Sequence, residues 1–110
     1  DGTTTVGAGT YSSQLGKYTK IGNIVLFGVQ LTWSAHTGTG NMIVSGLPFT
    51  VSTIANPFEI RASTLVFTGQ LVVRGSGTTI LIESEVSGIA TVAVAMDTAA
   101  SITVAGFYFV

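Results

Sequence analysis

The sequence predicts an all-β domain, and three observations carry that prediction. Val, Ile and Thr make up 39 of the 110 residues. β-Branched side chains are stiff at χ1, which costs them in helices and suits them to a pleated surface. Fourteen glycines interrupt the chain at short intervals. No window carries an apolar stripe at helical spacing without a glycine or a β-branched cluster breaking it. Eight or nine strands at a spacing near ten residues suggest a sandwich or barrel.

The strands follow in order. Lys17 to Ile21 is a short strand behind a Thr/Gly-rich lead-in, and Gly22-Asn23 is a turn. Asn23 to Ala35 is the longest strand, and His36-Thr37-Gly38-Thr39-Gly40 is a polar loop. Met42 to Ser45 precedes Gly46-Leu47-Pro48, where proline stops ladder donation. Phe49 to Ser52 is brief, and Phe58 to Ser63 follows Pro57. Leu65 to Thr68 and Gln70 to Arg74 flank Gly69. Gly75-Ser76-Gly77 is a turn. Thr79 to Val86, Ala90 to Met96 and Ile102 to Val110 complete the set.

Side chains alternate along a strand, so the longest strand can be divided into faces. Val25, Phe27, Val29, Leu31 and Trp33 form a core face. Ile24 and Leu26 open the other face, which then turns polar through Gln30, Thr32 and Ser34. In the last strand Ile102, Val104, Tyr108 and Val110 oppose Ala105, Phe107 and Phe109. A two-layer fold needs only one buried face per strand. The second apolar face therefore calls for cover, and another copy of the chain is the simplest cover. Burying about 1,000 Å² of apolar surface in this way contributes roughly 25 kcal/mol before association costs.

Composition points the same way. Charged residues are 8% of the chain, with four Lys/Arg and five Asp/Glu, and the mean hydropathy is +0.62. A disordered chain would be rich in charge and poor in apolar residues. Phosphate neutralisation needs more cations than Lys17, Lys20, Arg61 and Arg74 supply, so no nucleic-acid partner is expected. Nine charges are also few for the roughly 5,700 Å² that a folded monomer of this mass exposes. No cysteine is present, which excludes a disulfide scaffold, a thiolate metal site and a Cys nucleophile. No apolar run approaches the ~18 residues of a membrane-spanning helix, and no membrane insertion is expected. The opening at Asp1 reads as that of a fragment or processed product, and the close at Val110 as a C-terminus paired in a sheet.

Two motifs carry a family resemblance. Gly16-Lys17-Tyr18-Thr19-Lys20-Ile21-Gly22-Asn23 runs into the long strand. Gly38-Thr39-Gly40-Asn41 leads through a short strand to Ser45-Gly46-Leu47-Pro48-Phe49, and the chain closes on Val104-Ala105-Gly106-Phe107-Tyr108-Phe109-Val110. Together they resemble the small C-terminal head domain of bacteriophage tail fibres and tailspikes, from about Tyr11 to Val110. The resemblance is weak between Ser52 and Gly88. It implies an antiparallel, jelly-roll-like β-sandwich of eight to nine strands, assembled as a homotrimer, with residues 1–10 as a flexible lead-in from an upstream fibre or spike region. It further implies a virion location at the fibre tip and attachment to a host surface polysaccharide or lipopolysaccharide. The alternative is a structural cap on a tailspike whose depolymerase site lies in another domain. Gly22 and Gly40 suit turns of positive φ. Trp33, His36 and Asn41 are the candidate glycan contacts; Ile24, Leu26, Phe107 and Phe109 are the candidate trimer interface.

Catalytic readings are weaker. His36 reads first as a loop histidine. A Ser-His-Asp arrangement would pair it with Asp97, but no Gly-x-Ser-x-Gly elbow precedes a helix. Glu83 and Glu85 share one strand face and so cannot flank a scissile bond from opposite sides. They read as a solvated face paired with Arg61 or Arg74. Gly38-Thr39-Gly40 and Gly75-Ser76-Gly77 lack the following helix that a phosphate loop needs. Trp33 reads as core or rim packing before it reads as a sugar platform, and Tyr11 and Tyr108 are no better placed. No enzyme activity, cofactor or metal is expected.

Overall fold

A computed structural model describes residues 1–52 and 57–110, and among them there is no helix. Eight strands form one curled antiparallel sheet: β1 (Gly9–Ile21), β2 (Ile24–His36), β3 (Ile43–Ser45), β4 (Pro57–Ser63), β5 (Gln70–Ser76), β6 (Thr79–Glu85), β7 (Val92–Ala93) and β8 (Ala100–Phe109). The order is β1-β2-β8-β4-β5-β6-β3, with β7 also paired to β6. The all-β expectation holds.

Several boundaries differ from the sequence reading. β1 begins at Gly9, eight residues before the expected Lys17, because a polar edge strand needs no apolar run when its partner is as long as β2. His36 ends β2 instead of opening a loop. Leu65 to Thr68 and Phe49 to Ser52 form no strand. Val51 N–H still bonds the Gly77 carbonyl at 2.8 Å, and Ser52 N–H bonds that of Phe109 at 2.8 Å. Of Ala90 to Met96 only Val92–Ala93 forms a strand, while Ala95 makes an isolated bridge to Asn41.

The β1–β2 hairpin turns on Gly22-Asn23, with Ile21 opposite Ile24. Gly22 has φ +59° while Asn23 does not enter the positive region, as a II′ hairpin requires. Gly40 is also positive, at +87°, so both expected turn glycines are found.

The concave side holds the core. Val25, Phe27 and Trp33 from β2 meet Ile102, Val104 and Tyr108 from β8, with Phe58, Val73, Ile80 and Ile82 completing the cluster. Phe27, Phe58 and Tyr108 pack as a triplet with ring centroids 4.8–6.3 Å apart, each pair near edge-to-face, the geometry aromatic quadrupoles favour. Phe58 fits because two glycines make room. A Cβ on Gly106 would lie 2.9 Å from its ring, and one on Gly75 would lie 3.1 Å away.

The curl brings β1 and β3, the two ends of the strand order, to opposite walls of one cleft. Asp1 to Thr5 occupy the space near one end of it. Gly2 bridges to Met42 and Thr5 to Thr39, both antiparallel. Thr3 N–H donates to the Asn41 carbonyl at 2.9 Å, and Asn41 N–H donates to Thr3 Oγ1 at 2.9 Å. Of residues 1–10, read from sequence as a lead-in, the first five are thus tied to residues 39–43, Ala8 is hydrogen-bonded to Thr37, and Gly9 and Thr10 belong to β1. The folded chain exposes 6320 Å², above the roughly 5,700 Å² of a compact monomer of its mass.

Candidate functional site

The convex face of β1, β2 and β8 carries the first candidate. Register places Ile21, Ile24 and Phe109 in one cross-strand row and Thr19, Leu26 and Phe107 in the next. Side-chain alternation turns both rows away from the core, because Val25 and Tyr108 between them are fully buried. Leu26 and Phe107 are each 45% exposed, and Ile21 is 65% exposed. Phe107 and Phe109 stand edge-to-face at 6.1 Å. Ile24, Leu26, Phe107 and Phe109, expected as an interface, therefore lie side by side. Ile21 belongs with them and was missed. It sits at a hairpin tip, where sequence alone does not assign a face.

The rest of this face is small, polar or charged apart from Leu15, which is 61% exposed. Lys17, Gly28, Ala105 and Glu59 form the following row, then Leu15, Gln30, Thr103 and Arg61. Further along, the Thr32 and Ser101 hydroxyls lie 2.8 Å apart. The face thus grades from apolar at the hairpin end to hydroxyl-rich at the other.

The expected glycan contacts do not share a surface. Trp33 is 4% exposed, and its indole N–H donates to the Asp97 carbonyl at 3.0 Å. His36 is 6% exposed. Its Nδ1 accepts the Gly38 N–H at 2.9 Å, which leaves the proton of the neutral ring on Nε2. Tyr11 joins the two residues, edge-on to His36 at 6.2 Å and tilted against Trp33 at 6.5 Å. Burial lowers the His36 pKa, and the positive charge of the N-terminus lowers it further. Asn41 is exposed, and its main chain bridges to Ala95.

The carboxylates are also placed. Arg74 holds Glu83 through two guanidinium contacts, Nη2 to Oε1 at 2.9 Å and Nε to Oε2 at 3.4 Å. The pairing expected for Glu83 is thus found, with Arg74 the partner, but the Glu83 side chain is largely covered, at 13% exposed, where a solvated face was expected. Asp97 does not turn its carboxylate to His36. Its Oδ2 accepts the Val66 N–H at 3.0 Å, and Oδ1 accepts the Ala99 N–H at 3.3 Å. Among the described residues no group of three His, Asp or Glu side chains converges as metal ligands would.

Sequence reasoning missed two further features. One is an apolar groove of about 380 Å³ beyond the β4–β5 and β6–β7 connections, with Val66, Phe67, Ile89 and Val92 exposed along it. The other is the cleft of about 210 Å³ between β1 and β3. Each is built from segments far apart in sequence, so no local signal marks it. Comparison with protein-family models, with curated proteins and with solved structures finds no match.

Proposed function

We propose that this chain is an assembly module, the homotrimeric C-terminal head of a bacteriophage tail fibre or tailspike, which sits at the virion tip and attaches to a host surface glycan. The observation that carries the reading is the convex apolar patch of Ile21, Leu26 and Phe107 on a chain with nine charged residues. Leaving that patch in water is costly, and a threefold arrangement of copies would cover it. The antiparallel sheet is compatible with a jelly-roll-like sandwich, and the Gly16–Asn23 and Gly38–Phe49 motifs supply the phage resemblance.

Sedimentation tests assembly. The chain is expected at about three times 11.3 kDa, and a monomer at micromolar concentration overturns the reading. Adsorption to host and non-host cells, or a glycan array, tests attachment. A purely structural cap, with any depolymerase site on another domain, is the second reading. The burial of Trp33 and His36 favours it, since a sugar platform needs an exposed ring face.

A further inference from the structure

We propose that the cleft between β1 and β3 is a receptor for one extended strand, and that its occupant is the polypeptide joined to the Asp1 amine. The proposal rests on the reading of this chain as the head of a longer fibre protein.

Asp1 already behaves as the end of such a strand. Its amine donates to the Ile43 carbonyl at 3.0 Å, and the Ile43 N–H donates back to the Asp1 carbonyl at 3.0 Å. This reciprocal exchange is the hydrogen-bonded pair of an antiparallel ladder. The Gly2–Met42 bridge is the next step of the same ladder. Register is therefore fixed. The first residue placed before Asp1 falls opposite Val44, and the second falls opposite Ser45.

Ser45 is ready for that partner. Backbone groups of a strand alternate in direction, so Ser45 points to the same side as Ile43, into the cleft. Gly46 N–H points the other way and donates to the Thr78 carbonyl at 3.2 Å. Among the described residues no backbone bond to the Ser45 main chain is found on the cleft side. The Ser45 hydroxyl contacts the Asp1 carboxylate at the mouth.

The floor of the cleft supplies a second observation. Val29 and Leu31 lie on the core face of β2, between Phe27 and Trp33, which are buried. Both are only half-buried, and both line the cleft. Gln14 and Gly16 of β1 stand on its far wall, and Gly16 has no side chain to cover Val29. A neutral strand with one apolar residue facing inward would cover this floor and occupy the Ser45 main chain. Asp1 brings the one α-ammonium to the site, and in a longer chain that group becomes an uncharged amide.

The test is amide hydrogen exchange on three forms of the full 110-residue chain: unmodified, acetylated at Asp1, and extended by Thr-Val-Thr-Val before Asp1. Strand addition is expected to slow exchange at Ser45 at least tenfold in the extended form, while acetylation leaves it within twofold. Ser45→Pro in the extended form is expected to cancel any rise in Tm that the extension brings. Unchanged Ser45 exchange in the extended form, or equal protection by acetylation, overturns the proposal. Sedimentation of the same samples separates the two readings. Protection in a monomer leaves the strand receptor standing and removes the trimer, whereas a trimer with an unprotected Ser45 does the reverse.

Discussion

The Trp33 indole donates to the main-chain carbonyl of Asp97, 64 residues away, at 3.0 Å, while the Asp97 carboxylate holds Val66 and Ala99. One residue thus ties the end of β2, the β4–β5 connection and the entry to β8. Asp97→Ala removes both carboxylate acceptors and leaves the Val66 and Ala99 amides to water. It is expected to lower stability by about 1–3 kcal/mol. Urea denaturation followed by Trp33 fluorescence measures this as a fall in midpoint with unchanged slope. An unaltered midpoint would show that the anchor contributes nothing.

His36 gives the fold a pH dependence whose direction is fixed. Burial first, and the positive N-terminus second, lower its pKa from 6.5. The unfolded chain then takes up the proton more readily than the folded one. The stability linked to His36 is complete above pH 6.5 and is lost as pH falls through the lower folded value. Protonation also places hydrogen on Nδ1, where the Gly38 N–H now donates. An NMR titration is expected to return a His36 pKa below 6.5, with a lower unfolding midpoint at pH 5 than at pH 7.5. A pKa above 6.5 contradicts the geometry.

Tyr108 is fully buried in the aromatic triplet, yet its hydroxyl has no hydrogen-bond partner among the described residues. The Phe49 backbone lies close by, without the geometry of a bond. A buried unpaired hydroxyl has given up its hydration without compensation. Tyr108→Phe is expected to be neutral or to stabilise by about 1 kcal/mol. Tyr108→Ala is expected to cost about 3–5 kcal/mol through the cavity it leaves. Calorimetry on the pair checks both, and a marked loss in Tyr108→Phe would reveal a partner for the hydroxyl.

Leu26 and Phe107 sit in one cross-strand row and are each 45% exposed in the single chain. Leu26→Asp with Phe107→Asp is expected to leave the far-ultraviolet dichroism of the folded chain intact and to reduce the sedimenting species to one chain. An assembly that survives both changes has its interface elsewhere.

The β2 and β8 faces were legible in the sequence because alternation has a period of two and the buried set is apolar. Val25, Phe27 and Trp33 are buried on the side the sequence assigned to them, and Ile102, Val104 and Tyr108 likewise. β1 was only partly legible. Gly9 to Gly16 contains one large aliphatic residue, Leu15, and its strand character comes from pairing with β2. The burial of His36 was not legible either, since Gly9 and Gly38 admit its ring and both contacts are set by the folded backbone. A Cβ on Gly9 would lie 2.7 Å from the ring, and one on Gly38 would lie 2.8 Å from it.

By itself, the sequence determined the class of fold, the inward faces of the two central strands and a surplus of apolar surface over charge. These follow from local stereochemistry and composition, which act on a residue and its near neighbours. Tertiary structure alone decided that Ile21 joins Leu26 and Phe107, that Asp97 serves Trp33, Val66 and Ala99, and that β1 and β3 stop short of closing around Val29 and Leu31. Those outcomes depend on strand order, β1-β2-β8-β4-β5-β6-β3. Strand order is set by which long-range pairings bury the most surface together, and a one-dimensional pattern does not contain that sum.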